Sequence, residues 1–143
     1  VLTRLEKLDS GEYGALILAE AGLKRLGLSD RIAYRFSPEE LVPAAGQGIL
    51  AIQTRAGEYA DLLARLNSPD GALCAKTERQ LASLLGGDCS APVGCHAQLH
   101  GTDMTLYGFS GIGGVPRYGS VQGNRNDADL LVQQLASKLT ITE

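Results

Sequence analysis

Leu85-Gly86-Gly87-Asp88-Cys89-Ser90-Ala91-Pro92-Val93-Gly94 places one nucleophilic sulfur where helix-forming residues give way to two glycines and a proline. Glycine opens backbone angles that other residues avoid and proline fixes its own, so together they impose a defined path on the chain around the thiol. A cysteine held in this way suits chemistry at sulfur. Taken alone, Cys89 is better read as a buried structural thiol, the commoner fate of cysteine.

The other groups that could do chemistry are less distinctive. Cys74, Cys89, Cys95 and His96 contain no Cys-x-x-Cys pair and lack zinc-finger spacing, so no metal site is expected. Gly46-Gln47-Gly48 lacks the lysine and further glycines of a nucleotide fingerprint and reads as a tight turn. Arg4 and Arg25 flank an apolar stretch at residues 15–19, near the loops where open α/β sheets bind ligands. Guanidinium is well shaped to grip carboxylates, although solvent-facing charge is the commoner role on pattern alone. His96 and His100 share one side of a strand with Gln98 and read as surface residues, and no serine, histidine and acid arrangement announces a hydrolase.

These residues must be positioned by elements of two textures. Leu5 and Leu8 define one face of a short helix that Gly11 stops, and residues 21–26 form another that Gly27 ends. Residues 15–19 are a continuous apolar run, expected as a strand covered on both faces, with further strands at residues 32–36 and 49–54. A helix with Tyr59, Leu62, Leu63 and Leu66 at helical spacing comes next. Ser68 then caps a helix that starts with Pro69, runs to about residue 85 and buries Leu73, Thr77, Leu81 and Leu84. Beyond Cys89, residues 97–100, 104–109 and 118–122 read as an antiparallel sheet with glycine-rich turns, and residues 127–139 as a helix lying on one face of it. The fold class is therefore α/β-like before about Ser68 and α+β after it.

The composition of 143 residues, 44% of them apolar and 20% charged, is that of a globular protein able to bury a core. Its 13 basic and 16 acidic residues are interspersed, without the basic block or aromatic-basic alternation that grips nucleic acid. No apolar run is long enough to cross a bilayer. Three cysteines, an odd number spaced fifteen and six apart, suit reduced thiols and a cytoplasmic setting. The first residue is Val1, directly before an amphipathic segment, and the α/β-like half has no opening strand, so the chain is expected to be part of a longer protein.

Four stretches occur in register: Thr3-Arg4-Leu5-x-Lys7-Leu8-Asp9-x-Gly11-x-Tyr13, Leu18-Ala19-x-Ala21-Gly22-Leu23-x-Arg25-Leu26-Gly27, Pro43-Ala44-x-Gly46-Gln47-Gly48 and Gly87-x-Cys89-x-x-Pro92-Val93-Gly94. In order and spacing the chain closely resembles the porphobilinogen deaminase (hydroxymethylbilane synthase) family. The resemblance implies an enzyme of tetrapyrrole biosynthesis that joins four porphobilinogen molecules into a linear tetrapyrrole with loss of ammonia. Two domains resembling periplasmic binding proteins would flank its cleft, and a small third domain, an antiparallel sheet covered by helices on one face, would carry a covalent dipyrromethane cofactor. By this comparison residues 1–42 end the second domain, residues 43–68 cross back to complete the first, and residues 69–143 form the cofactor-bearing domain.

Cys89 matches the family's attachment cysteine, Arg4 and Arg25 its carboxylate-binding arginines, and Gln47 and the backbone of Ala19 positions that line the same cleft. The implied partners are porphobilinogen, the growing polypyrrole and the N-terminal domain of the same protein, in an enzyme monomeric at full length. The family's catalytic aspartate belongs to that N-terminal domain, so this chain alone is expected to be inactive. Two residues depart from the family pattern: Gly14 stands where aspartate is usual, and Asp88 where glycine is usual. A carboxylate next to Cys89 is expected to raise its thiol pKa and slow alkylation. The alternative from another class is a non-catalytic module that binds anions or a partner on the same architecture.

Overall fold

The computed structural model describes residues 1–88 and 90–140, and the chain divides into two compact units, Val1–Phe36 and Ser37–Glu143. In the first unit, α1 (Leu2–Asp9) and α2 (Glu20–Arg25) are followed by a single 3-10 turn at Ser29–Arg31. Its buried apolar side chains are Leu5 on α1 and Leu23 on α2. Both helices end as their sequences predict, with Gly11 and Gly27 at positive φ just past the last turn.

The second unit holds α3 (Ala60–Leu66), α4 (Pro69–Leu84), three strands and α5 (Ala128–Leu139). Ser68 accepts a hydrogen bond on Oγ from the Gly71 N–H at 3.1 Å, and Pro69 occupies the first helical position of α4. The strands β1 (Val93–His100), β2 (Asp103–Ser110) and β3 (Arg117–Asn124) form an antiparallel sheet in the order β1-β2-β3. Cys95 faces Gly108 and Ala97 faces Leu106 across the first pair, while Leu106 faces Val121 across the second. Alternation along β2 buries Met104, Leu106, Gly108 and Ser110.

Leu81 of α4 and Leu135 and Leu139 of α5 all stand over Gly108, so both helices cover the same face of the sheet. Gly119 and Gly123 on β3 leave room for Leu135 and Leu131. Around this seam Leu81, Met104, Leu106, Val132, Leu135 and Leu139 are fully buried, each stabilising the fold by about 1.5–3 kcal/mol over an exposed side chain. The opposite face carries cross-strand ring pairs, His96 with Tyr107 and Phe109 with Tyr118, at centroid distances of 6.4 and 4.8 Å.

Two expectations need correction. Residues 15–19, 32–36 and 49–54 form no strand and join no sheet ladder among the described residues, and Ile17, Leu50 and Ile52 are exposed. An apolar run states that a segment wants cover, whereas a ladder needs a neighbour to hydrogen-bond. Leu84 is exposed and Leu85 buried, because the buried stripe of α4 steps by fours from Thr77 through Leu81 to Leu85. That stripe also contains a charged residue, Glu78.

Candidate functional site

In the Val1–Phe36 unit, most cations are neutralised locally. Lys24 and Arg35 both pair with Glu20 at 2.8 Å, Arg31 with Asp9, and Lys7 with Glu12 at 2.8 Å. Glu20 is accordingly held far below the usual carboxylate range, at about 2, by hydrogen bonds first from Arg35 and then from Lys24. Arg4, on the exposed flank of α1, and Arg25, in the last turn of α2, have no ion pair with any described residue. Ala19 is the exposed N-cap of α2, and its carbonyl accepts the Gly22 N–H at 3.0 Å. The structure thus brings Arg4, Ala19 and Arg25 into one unit, each open to solvent.

Gln47 belongs to the other unit, on a turn bounded by Gly46 at φ +75° and Gly48 at φ +86°. The turn closes through the Gln47 N–H to the Ala44 carbonyl at 3.0 Å and the Ile49 N–H to the Gly46 carbonyl at 3.1 Å. Gln47 Oε1 accepts the Ala44 N–H at 3.3 Å. That bond turns Oε1 toward the loop and leaves the NH2 donors of the exposed amide with no partner among the described residues.

The residue that sequence reasoning missed is Glu78. Its carboxylate is 3% exposed and spans three segments: Oε2 accepts the Gly46 N–H at 2.7 Å, Oε1 accepts the Ala97 N–H at 2.9 Å, and His96 Nδ1 lies 3.3 Å from Oε1. Burial pushes the Glu78 carboxyl up, but the hydrogen bonds from His96, Ala97 and Gly46 together outweigh it and hold the group below the usual carboxylate range. The only signal in the sequence was its place three residues before Leu81 and seven before Leu85, on the buried stripe itself.

The thiols divide sharply. Cys95 is fully buried, and burial followed by the Glu78 charge pushes it up to about 12, while burial also raises half-buried Cys74. Cys89 lies outside the described residues. Its approach is set by α4: the Gly87 N–H bonds to the Ala82 carbonyl at 2.8 Å and the Gly86 N–H to Ser83 at 3.1 Å, with Gly86 at φ +73° turning the chain off the helix. Asp88 Oδ1 then accepts the Ser90 N–H, the Ser90 hydroxyl and the Ala91 N–H, each at 2.8 Å. These bonds, chiefly those from Ser90, hold the Asp88 carboxyl below its ordinary range. Among the described residues no three His, Cys, Asp or Glu side chains gather to hold a metal ion, and no described helix is long and apolar enough to cross a membrane.

Two family models match the chain. One, described as "Porphobilinogen deaminase, dipyromethane cofactor binding domain", covers residues 1–62, and the other, described as "Porphobilinogen deaminase, C-terminal domain", covers residues 72–140. The chain belongs to the porphobilinogen deaminase family. Porphobilinogen deaminases similar to it include that of Chromobacterium violaceum, 48% identical over 143 residues, or 97% of this chain and 46% of the relative. That of Thiobacillus denitrificans is 45% identical across 96% of this chain and 46% of its own length, and that of Ruminiclostridium josui 42% identical across 97% and 48%. The chain therefore spans about half the length of the curated porphobilinogen deaminases it matches. Arg4, Ala19, Arg25 and Gln47 fall in the stretch matched by the cofactor-binding model of this family, and Cys89 falls in the stretch matched by its C-terminal domain.

Proposed function

We propose that this chain is the C-terminal part of a hydroxymethylbilane synthase, which condenses four porphobilinogen molecules head to tail on a dipyrromethane primer attached through Cys89. One observation carries the reading: within the unit that matches the cofactor-binding model, Arg4 and Arg25 are the arginines without a described carboxylate partner. Pyrroles bearing acetate and propionate arms need fixed cations, and two exposed guanidinium groups, not already spent on Asp or Glu, are suited to them. The donor set therefore fits the cofactor. When bound, the dipyrromethane supplies a free pyrrole carbon as the nucleophile for chain growth.

Arg4 and Arg25 act as clamps on the carboxylates of primer and product, with the backbone of Ala19 and the amide of Gln47 lining the same cleft. Residues 1–42 are read as the end of a periplasmic-binding-protein-like domain, 43–68 as the segment completing the preceding domain, and 69–143 as the domain carrying Cys89. Exposed Ile17, Leu50 and Ile52 support that division, since apolar side chains in runs of this kind are suited to burial against further chain. The aspartate that assists deamination is assigned to the N-terminal domain, so the isolated chain should show no turnover. A cytoplasmic enzyme accords with Cys74 and Cys95 being free thiols.

The test is the mass of the Cys89 peptide from the full-length protein, combined with assay of a Cys89→Ser variant. A two-pyrrole adduct on Cys89 and loss of polymerisation in the variant are expected. An unmodified Cys89 in active enzyme, or a fully active Cys89→Ser protein, would overturn Cys89 as the attachment point. An unmodified Cys89 in a full-length protein that binds anions without turnover would overturn the reading in favour of a module that only binds anions.

A further inference from the structure

Among the described residues Glu78 is the only charged side chain that is buried, and neither the carboxylate clamps nor the attachment cysteine uses it. Closing the free edge of β1 does not require a carboxylate: the neighbouring Cys95 N–H is satisfied by the Pro43 carbonyl at 2.8 Å. What Glu78 adds is a rigid link between that strand and the Gly46 N–H, the residue directly before Gln47. Without it the turn at residues 44–49 keeps its own short-range bonds and the packing of Ala45 on the core, but Gly46 and Gly48, whose backbones are the freest to move, lose their one side-chain tether at Gly46.

We infer that Glu78 is a positioning residue for Gln47, holding its exposed NH2 group as a hydrogen-bond donor to a carboxylate of the pyrrole substrate. The inference rests on Gln47 lining the cleft. Glu78 does not itself touch substrate. It holds the backbone at Gly46 through Oε2, and the Ala44 N–H holds Gln47 Oε1 toward the loop. A glutamine at position 78 can accept with only one of its two terminal atoms, so one of the two N–H groups would face an NH2 and the bridge between β1 and the turn would be broken.

The experiment is a double-mutant cycle in the full-length enzyme with Glu78→Gln, Gln47→Ala and the pair, reading kcat and KM for porphobilinogen together with the thermal midpoint. Gln47→Ala should raise KM about tenfold to a hundredfold, the effect of one hydrogen bond to a charged group. Glu78→Gln should raise KM by a similar factor with little change in kcat, and should add nothing once Gln47 is alanine. Additive effects, or a lowered midpoint and kcat with KM unchanged, would mean that Glu78 only stabilises the fold. Gln47→Ala without effect on KM would instead remove Gln47 from the cleft, and the positioning role with it. Should Glu78→Gln fail to fold, amide exchange in the unaltered protein decides: Gly46 should be protected comparably to Ala97, and free exchange at Gly46 overturns the link.

Discussion

Burial makes Cys95 an inert thiol and pushes the Cys74 thiol up as well. A thiol with its pKa near 12 is protonated at any physiological pH, and the thiolate is the reactive form. Native protein treated with iodoacetamide at about pH 8 should therefore leave Cys95 unlabelled, and Cys74 nearly so, as read from peptide masses; prompt labelling of Cys95 would show that β1 is not packed as described. Cys89 drew attention in the sequence because its neighbours, Gly86, Gly87 and Pro92, have unmistakable backbone preferences. Glu78 did not, because Lys76-Thr77-Glu78-Arg79-Gln80 has the composition of a solvated helix face. Its meaning depends on the Gly46 and Ala97 N–H groups, 32 and 19 residues away, a juxtaposition that no local pattern encodes.

Strands were legible where both partners are close in sequence. Residues 93–124 alternate and turn back on themselves at glycine-rich bends, so β1, β2 and β3 could be placed to within a few residues, as could α4 from its Ser68-Pro69 start and α5 from its leucines. In residues 15–54 the apolar runs carried no information about a neighbour, and the expected strands are not formed. Gly94 shows how tightly the second unit is fitted: a Cβ there would stand 2.6 Å from the Val42 carbonyl oxygen, a backbone atom that cannot rotate aside. Gly94→Ala should push residues 42–43 off the sheet, weaken the bond from the Cys95 N–H to Pro43, and cost about 1–3 kcal/mol in urea unfolding. An unchanged unfolding midpoint would contradict the contact.

For the molecule as a whole, acid is the condition most directly written into its charges. Glu39, Glu78 and Asp88, all in the Ser37–Glu143 unit, have carboxyls held below their ordinary values of 4.5, 4.5 and 3.8. Between those values and the lowered native ones the unfolded chain binds more protons than the folded one, so stability rises with pH in that window. The stabilisation should be complete above about pH 5 and fade as pH falls through the native values; urea midpoints that stay level or climb from pH 5 down to pH 3 would refute it. The sheet has a consequence of another kind. Pro43 and Glu78 consume the outward N–H groups of Cys95 and Ala97 on β1, while β3 has β2 as its only strand neighbour among the described residues. With two of its outward donors already taken, β1 is the poorer template for strand addition by a sister copy and β3 the better one.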